Sequence, residues 1–179
     1  MKRKLAQIGY VTRDLEKALD YWIDVVGAGP FFYADYEPEN QVYRGAPTHI
    51  RFRNAYGYLG GMQVEVIQQL TEGESAYTEA LSGSEDIPLG GLPHHVALLH
   101  DGYDEIVAQF LDAGAALCYD AFVEGAGRFC YLDTRRQIGS FLELIEHSEI
   151  FEAASERMRL AHEGWDGTRP RRSIEEVMS

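Results

Sequence analysis

Apolar residues along this chain fall into two periods, and the pattern occurs twice. Residues 5–11, Leu-Ala-Gln-Ile-Gly-Tyr-Val, read as a strand with a small polar interruption. Thr12 and Asp14 then offer N-cap oxygens. Leu15, Ala18, Leu19, Trp22, Val25 and Val26 follow at helical spacing. Gly27 is placed to end that helix, and Pro30 to prevent its resumption. Three strand-like runs come next, Phe31–Tyr36, His49–Asn54 and Gln63–Leu70. The loop Glu37–Pro47 and the turn Gly57–Gly61 separate them.

The same order then returns. His94–Leu99 reads as a strand, Asp101 as an N-cap, and Ile106, Val107, Phe110, Leu111 and Ala113 as one side of a helix that Gly114 stops. Ala116–Phe122, Arg128–Asp133 and Phe141–Glu146 are three further strand-like runs, with turns at Val123–Gly127 and Thr134–Gly139. Each half is β-α-β-β-β, an internal repeat. The pattern predicts a first module over 1–70, a linker over 71–92 with a short helix at Ser75–Leu81, and a second module over 93–147. A C-terminal helix and tail occupy 148–179. Ile150, Ala154, Met158 and Ala161 lie near helical spacing in that helix. The tail from Gly164, with Arg169, Pro170, Arg171 and Arg172, reads as loosely ordered or partner-docked.

Composition narrows the function classes. In 179 residues, 45% hydrophobic content with 12% aromatics suffices for a core, in one domain or two small modules sharing one. Sixteen basic against 29 acidic residues give a net charge of −13, which argues against nucleic acid or an anionic membrane surface as the main partner. The simplest reading of that charge is solubility. Lys2, Arg3 and Lys4 precede no apolar run of signal length, and Asp24, Gly27, Gly29 and Pro30 break the most apolar stretch, Tyr21–Ala34. A cytoplasmic location follows as the expectation. Cys118 and Cys130 are expected to be reduced thiols. A hairpin about Glu124–Gly125 would set them nearly opposite, with ordinary sheet packing favoured over a cross-strand disulfide.

Four residues stand out when the halves are laid over each other. Gln7 and His95 lie in the first strands, each followed by an apolar and then a small residue: Gln7-Ile8-Gly9 and His95-Val96-Ala97. Glu65 and Glu143 lie in the last strands, within Val64-Glu65-Val66-Ile67 and Leu142-Glu143-Leu144-Ile145. The two spacings are 58 and 48 residues. A lone charge in an apolar strand is costly unless paired or bound to metal. Taken singly, each Glu reads as solvent-facing on a half-exposed sheet; as a repeat-matched pair they need a shared explanation. Two carboxylates, an imidazole and an amide oxygen form an N/O set suited to a divalent metal, with Zn²⁺ first and Ni²⁺, Co²⁺, Mn²⁺ or Fe²⁺ as alternatives. His94 is the neighbouring rival to His95. Alternation sends the two to opposite faces, and His95 is the one that matches Gln7. His49 and His100, near strand ends, read as surface or structural.

The chain resembles the vicinal oxygen chelate superfamily, which includes glyoxalases, methylmalonyl-CoA epimerases, extradiol dioxygenases and bleomycin- and fosfomycin-resistance proteins. The resemblance covers about residues 4–147. It rests on residues 7–15, Gln-Ile-Gly-Tyr-Val-Thr-Arg-Asp-Leu, on Ala18-Leu19-Asp20-Tyr21-Trp22 and on Gly27-Ala28-Gly29-Pro30-Phe31-Phe32. Val64-Glu65-Val66-Ile67-Gln68, His94-His95-Val96-Ala97 and Phe141-Leu142-Glu143-Leu144-Ile145-Glu146 complete it. It implies an α+β fold in which paired βαβββ modules form an open, cupped β-barrel around a metal. The order Gln7, Glu65, His95, Glu143 is similar to the ligand pattern of eukaryotic-type glyoxalase I. Many members begin with His where this chain has Gln7, and the dioxygenases need two His and one Glu, so Gln7 weakens a ring-cleaving role. No basic cluster for glutathione carboxylates is evident, Arg44, Arg51 and Arg53 being the central candidates.

The implied activity is that of a metal-dependent isomerase, epimerase or lyase. The metal polarises a carbonyl of a small organic substrate, and Glu143 or Glu65 takes the proton from the adjacent carbon. The rival reading is non-enzymatic sequestration of a small apolar or aromatic molecule, motivated by Phe31, Phe32, Tyr33, Tyr36, Tyr56, Tyr58, Phe129 and Tyr131. Of these, Phe31, Tyr56, Phe129 and Tyr131 are the pocket candidates. A homodimer is implied by the resemblance, with the 148–163 helix and its Arg-rich tail as interface candidates.

Overall fold

The computed structural model describes residues 4–124 and 126–178, so Lys2, Arg3 and the expected turn residue Gly125 lie outside it. Strand β1 (Lys4–Val11) leads into helix α1 (Leu15–Tyr21). Asp14 caps α1 by accepting a hydrogen bond from the Lys17 N–H. Trp22–Val26 continues it as a π-turn, which Gly27 ends at φ 82°. The wider turn changes the phase of the apolar stripe. Val25, on the buried side by helical spacing, is 67% exposed, whereas Trp22 remains buried.

The first half continues with β2 (Phe31–Tyr36), β3 (Glu39–Tyr43), β4 (Ala46–Pro47), β5 (Phe52–Leu59) and β6 (Met62–Gln69). Helix α2 (Ala76–Leu81) starts in a capping box built by Ser75 and Thr78. The second half holds β7 (Leu92–His100), α3 (Tyr103–Asp112), β8 (Ala116–Val123), β9 (Gly127–Asp133), α4 (Arg135–Ile138) and β10 (Phe141–Glu146). Helix α5 (Glu149–Glu163), strand β11 (Arg171–Ser173) and helix α6 (Glu175–Met178) follow.

The fold is α+β. Eleven strands among the described residues form one open sheet of order β11-β2-β5-β6-β1-β7-β10-β9-β8-β3-β4, not closed into a barrel. The sheet is cupped. Strands β5 and β9 have four others between them, yet the Phe52 and Phe129 rings lie 6.4 Å apart. Helix α1 covers the outer face of the first half through Leu15, Ala18, Leu19 and Trp22. Helix α3 covers the second through Tyr103 and Ile106. No helix of the described residues is long and apolar enough to cross a membrane.

Several local expectations are corrected. The stretch 37–47 is not a plain loop, because β3 crosses to pair with β8 of the other half. Non-local pairing of this kind leaves no short-range signal. Asp101 does not cap α3; Gly102 holds that position, and Asp101 faces His147 at 3.0 Å. The tail is not loose. Arg171–Ser173 pairs in parallel with β2, and Arg171 binds Glu16 and Asp20 on α1. Cys130 sits opposite Asp120, and Cys118 falls in a register irregularity of β8, so the two thiols do not face each other. Both are free and buried, and burial pushes both thiols up to about 12.

Arg44 and Arg135 gather Glu79 and Asp133 into a four-membered ion cluster with contacts of 2.6–2.8 Å. Hydrogen bonds from Arg44, Tyr43 and Arg135 outweigh partial burial and hold the Glu79 carboxyl at about 2, below its ordinary 4.5. Asp133 is lowered too, first by Arg135 and then by Arg44. A lowered folded-state pKa stabilises the protein above the unfolded value, and that contribution fades as pH falls toward the folded one. Glu79→Gln is therefore expected to lower the melting temperature at pH 6, with the gap from the unsubstituted protein closing between pH 4.5 and pH 2. A pH-independent gap in differential scanning calorimetry would assign the loss to packing instead.

Candidate functional site

The four neighbouring strands β6-β1-β7-β10 at the middle of the sheet carry Glu65, Gln7, His95 and Glu143. Their register repeats between the halves. Gly9, two residues beyond Gln7, pairs with Glu65; Ala97, two beyond His95, pairs with Glu143. Where β1 meets β7, Gly9 lies opposite His95 and Ala97 opposite Gln7. The small residue of each motif therefore makes room for the polar side chain of the other half. A Cβ on Gly9 would sit 1.9 Å from His95 Cε1.

All four polar side chains are buried. Gln7 Nε2 donates to Glu65 Oε2 at 2.8 Å, and Asn54 Nδ2 donates to Glu65 Oε1 at 2.6 Å. Asn54 Nδ2 also reaches the Tyr56 hydroxyl at 2.9 Å, which in turn donates to the Tyr36 hydroxyl at 3.3 Å. His95 Nε2 lies 3.1 Å from Glu143 Oε2 and 3.2 Å from Glu65 Oε2, and neither contact has hydrogen-bond geometry. Gln7 Oε1, Asn54 Oδ1, His95 Nε2 and Glu143 Oε2 have no hydrogen-bond partner among the described residues.

Buried polar atoms are nearly always satisfied, so His95 Nε2 and Glu143 Oε2, unpartnered and 3.1 Å apart, call for a shared partner. The donor chemistry fits a divalent cation: one imidazole nitrogen, one amide oxygen and two carboxylates whose charges balance it. Ligand atoms of Glu65, His95 and Glu143 all lie within 4.8 Å of one another. Ligands about 2.1 Å from a shared centre are separated by at most about 4.2 Å, so small side-chain movements close the shell.

The electrostatics agree with that grouping. Burial raises the Glu143 carboxyl above its ordinary value, and Glu65 adds to this while His95 opposes it. Burial works against charge on His95, but Glu143 and Glu65 together outweigh it and lift His95 to about 9.

A cavity of about 100 Å³ opens over this cluster, walled by Tyr36, Phe52, Tyr56, Phe129, Tyr131 and Ile145. Three of the four aromatic candidates, Tyr56, Phe129 and Tyr131, line it. Phe31 does not. Alternation along β2 turns it to the outer face, where its ring covers Gly57 beneath α1. Helix α5 supplies Ile150, Phe151, Ala154 and Met158 to the wall, and Ile174 and Met178 extend it. Their role was not legible as sequence, because apolar positions on a terminal helix do not name the surface they meet.

Two neighbours of the cluster differ from what the sequence pattern predicts. Asn54 signals itself only as a polar residue inside the apolar run of β5. His94 does not point away from His95. A register irregularity in β7 between the partners of Gly9 and Tyr10 breaks alternation, and His94 Nδ1 comes 2.9 Å from His95 Nδ1. His49 pairs with Glu37 at the surface, and His100 Nδ1 accepts from the Gly102 N–H. Arg44, Arg51 and Arg53 are each paired with acids.

Residues 6–131 match the family described as Glyoxalase/Bleomycin resistance protein/Dioxygenase superfamily. Among solved structures, a hypothetical protein of Bacillus halodurans is similar, with TM-score 0.56 and 17% identity over 83% of this chain and 97% of that one. A methylmalonyl-CoA epimerase of Mycobacterium tuberculosis gives TM-score 0.56 and 19% identity, over 83% and 91%. A Streptomyces coelicolor methylmalonyl-CoA epimerase in complex with 2-nitronate-propionyl-CoA gives 0.54 and 17%, over 81% and 97%. At these identities the likeness is one of fold. The curated proteins contain no match to the chain.

Proposed function

The chain belongs to the glyoxalase/bleomycin resistance protein/dioxygenase superfamily, and we propose that it is a metal-dependent enzyme of the isomerase, epimerase or lyase type. Its reaction begins by removing a proton from the carbon next to a substrate carbonyl. The observation that carries this reading is the meeting of buried Glu65, His95 and Glu143, with ligand atoms within 4.8 Å of one another beneath an apolar cavity, where His95 Nε2 and Glu143 Oε2 have no hydrogen-bond partner. Gln7 Oε1, Glu65, His95 Nε2 and Glu143 would hold a divalent cation there. Such a cation, when bound, supplies Lewis acidity to the carbonyl.

The protein's own residues divide the remaining work. Both oxygens of Glu65 are engaged, one by Gln7 and one by Asn54, which suits a fixed ligand. Glu143 Oε2 is unpartnered, and burial lifts its carboxyl, which suits a base that receives a proton. Tyr56, Phe52, Phe129 and Ile145 exclude water from the reacting carbon, and Tyr36 and Tyr56 present hydroxyls to polar substrate atoms. The methylmalonyl-CoA epimerases among the structural neighbours add support for an isomerase-type reaction. Pure sequestration of an apolar ligand leaves the two buried carboxylates without a purpose.

Loading with Zn²⁺ is expected to raise the melting temperature. A ligand at about 100 times its Kd adds about 2.7 kcal/mol. For a chain of this size that corresponds to roughly 5–11 °C. The companion assay follows deuterium entry from D₂O at the α-carbon of small carbonyl compounds, thioesters included, by NMR. Neither thermal shift nor exchange with Zn²⁺, Ni²⁺, Co²⁺, Mn²⁺ or Fe²⁺ would overturn the proposal.

A further inference from the structure

The geometry points to His94 as a positioning residue that fixes the proton and the orientation of the His95 ring. The inference rests on the proposed role of His95 only for its consequence in metal binding. The hydrogen-bond chain itself stands on the positions of three groups.

His94 Nε2 lies 3.2 Å from the Ala76 carbonyl oxygen, and His94 Nδ1 lies 2.9 Å from His95 Nδ1. A carbonyl oxygen only accepts. His94 Nε2 must therefore carry a proton and donate it to Ala76. With its proton on Nε2, a neutral His94 offers a lone pair at Nδ1. Between two facing imidazole nitrogens one donates and the other accepts, so His95 Nδ1–H donates to His94. The opposite arrangement, with the proton on His94 Nδ1, would turn a bare Nε2 lone pair against the Ala76 oxygen. The permitted arrangement leaves His95 Nε2 as the atom that faces Glu65 and Glu143. It is the nitrogen a cation would take.

The surroundings hold this chain rigid. Both rings are buried, and His94 is packed among Tyr77, Tyr131 and Phe141 at centroid distances of 5.5, 5.1 and 5.0 Å. The irregularity in β7 lets two consecutive residues point into one interior. Helix α2, from the segment joining the halves, supplies the Ala76 carbonyl. The linker thus sets the far end of a hydrogen-bond relay that ends at the sheet centre. An outer partner that orients a metal-bound imidazole is worth about 10–100-fold in metal affinity.

The test combines ¹⁵N-histidine NMR on metal-stripped protein with Zn²⁺ competition titrations. In the unsubstituted protein, a scalar coupling from the His95 Nδ1–H across to His94 Nδ1 is expected, with the His94 proton on Nε2. His94→Phe keeps an aromatic ring in the packing but removes the acceptor. It is expected to weaken Zn²⁺ binding by about 10–100-fold with an unchanged backbone spectrum. His94→Asn, whose Oδ1 can accept near the Nδ1 position, should recover part of that loss. A His94 proton found on Nδ1, or unsubstituted Zn²⁺ affinity in folded His94→Phe, overturns the inference. If the unsubstituted protein binds no metal, the proposed function fails, and the coupling in stripped protein still decides whether His94 directs His95.

Discussion

Glu143→Gln is expected to slow α-proton exchange by about 10²–10⁴-fold, the usual worth of a positioned general base. The amide has the size and shape of the carboxyl, so the cavity walls formed by Tyr131, Phe129 and Ile145 have no reason to move. What is lost is chemical: the oxygen that receives the proton, and one of the two charges that balance a cation. Glu65→Gln tests a different assignment. Its carboxylate accepts from Gln7 Nε2 and Asn54 Nδ2, so the variant turns one accepting oxygen into a donor facing donors. A buried mismatch of that kind costs roughly 1–3 kcal/mol. Glu65→Gln should therefore lose metal and thermal stability together, whereas Glu143→Gln should lose rate more than stability. Bound metal is read by inductively coupled plasma mass spectrometry, and rate by deuterium exchange. Full occupancy with undiminished exchange in both variants would sink the assignment of either carboxylate.

The central site was legible because it is duplicated. A single Glu in a strand is uninformative, but Glu65 and Glu143 recur at matching places of the repeat, and the structure sets them at the same offset from Gln7 and His95 in the parallel register. The β-α-β-β-β order was legible for the same reason. What escaped was whatever depends on departures from period two or on distant pairing. His94 needed a local irregularity to join His95, and no periodicity announces one. Phe31 and Phe32 differ by a single step of alternation. The step decides whether a ring lies beneath α1 or toward α5, where Phe32 packs with Ala154 and Met158. The β3–β8 pairing and the docking of Arg171–Ser173 on β2 join segments far apart in sequence, with composition alone pointing to loops.

Gly9→Ala is expected to damage the site more than any other single-methyl change. The added Cβ would lie 1.9 Å from His95 Cε1 and 2.4 Å from both ring nitrogens. A flexible side chain would swing aside, but His95 has no such freedom. Its ring is buried, and its Nδ1 is held by His94. It packs on Tyr131 at 5.1 Å, and the Glu65 and Glu143 carboxylates lie within 3.2 Å of its Nε2. Overpacking of a closed core costs about 1–3 kcal/mol, which corresponds to a drop of roughly 2–12 °C in melting temperature for a chain of this size. Displacement of the imidazole should also cost at least about tenfold in Zn²⁺ affinity. Gly61→Ala is the control, because a Cβ there meets nothing within 4 Å. A double-mutant cycle isolates the cause. In a His95→Ala background the ring is gone, so the penalty of Gly9→Ala should largely vanish, giving a coupling energy close to the single-variant loss. Additive effects of the two substitutions would show that Gly9 serves the strand and not the imidazole.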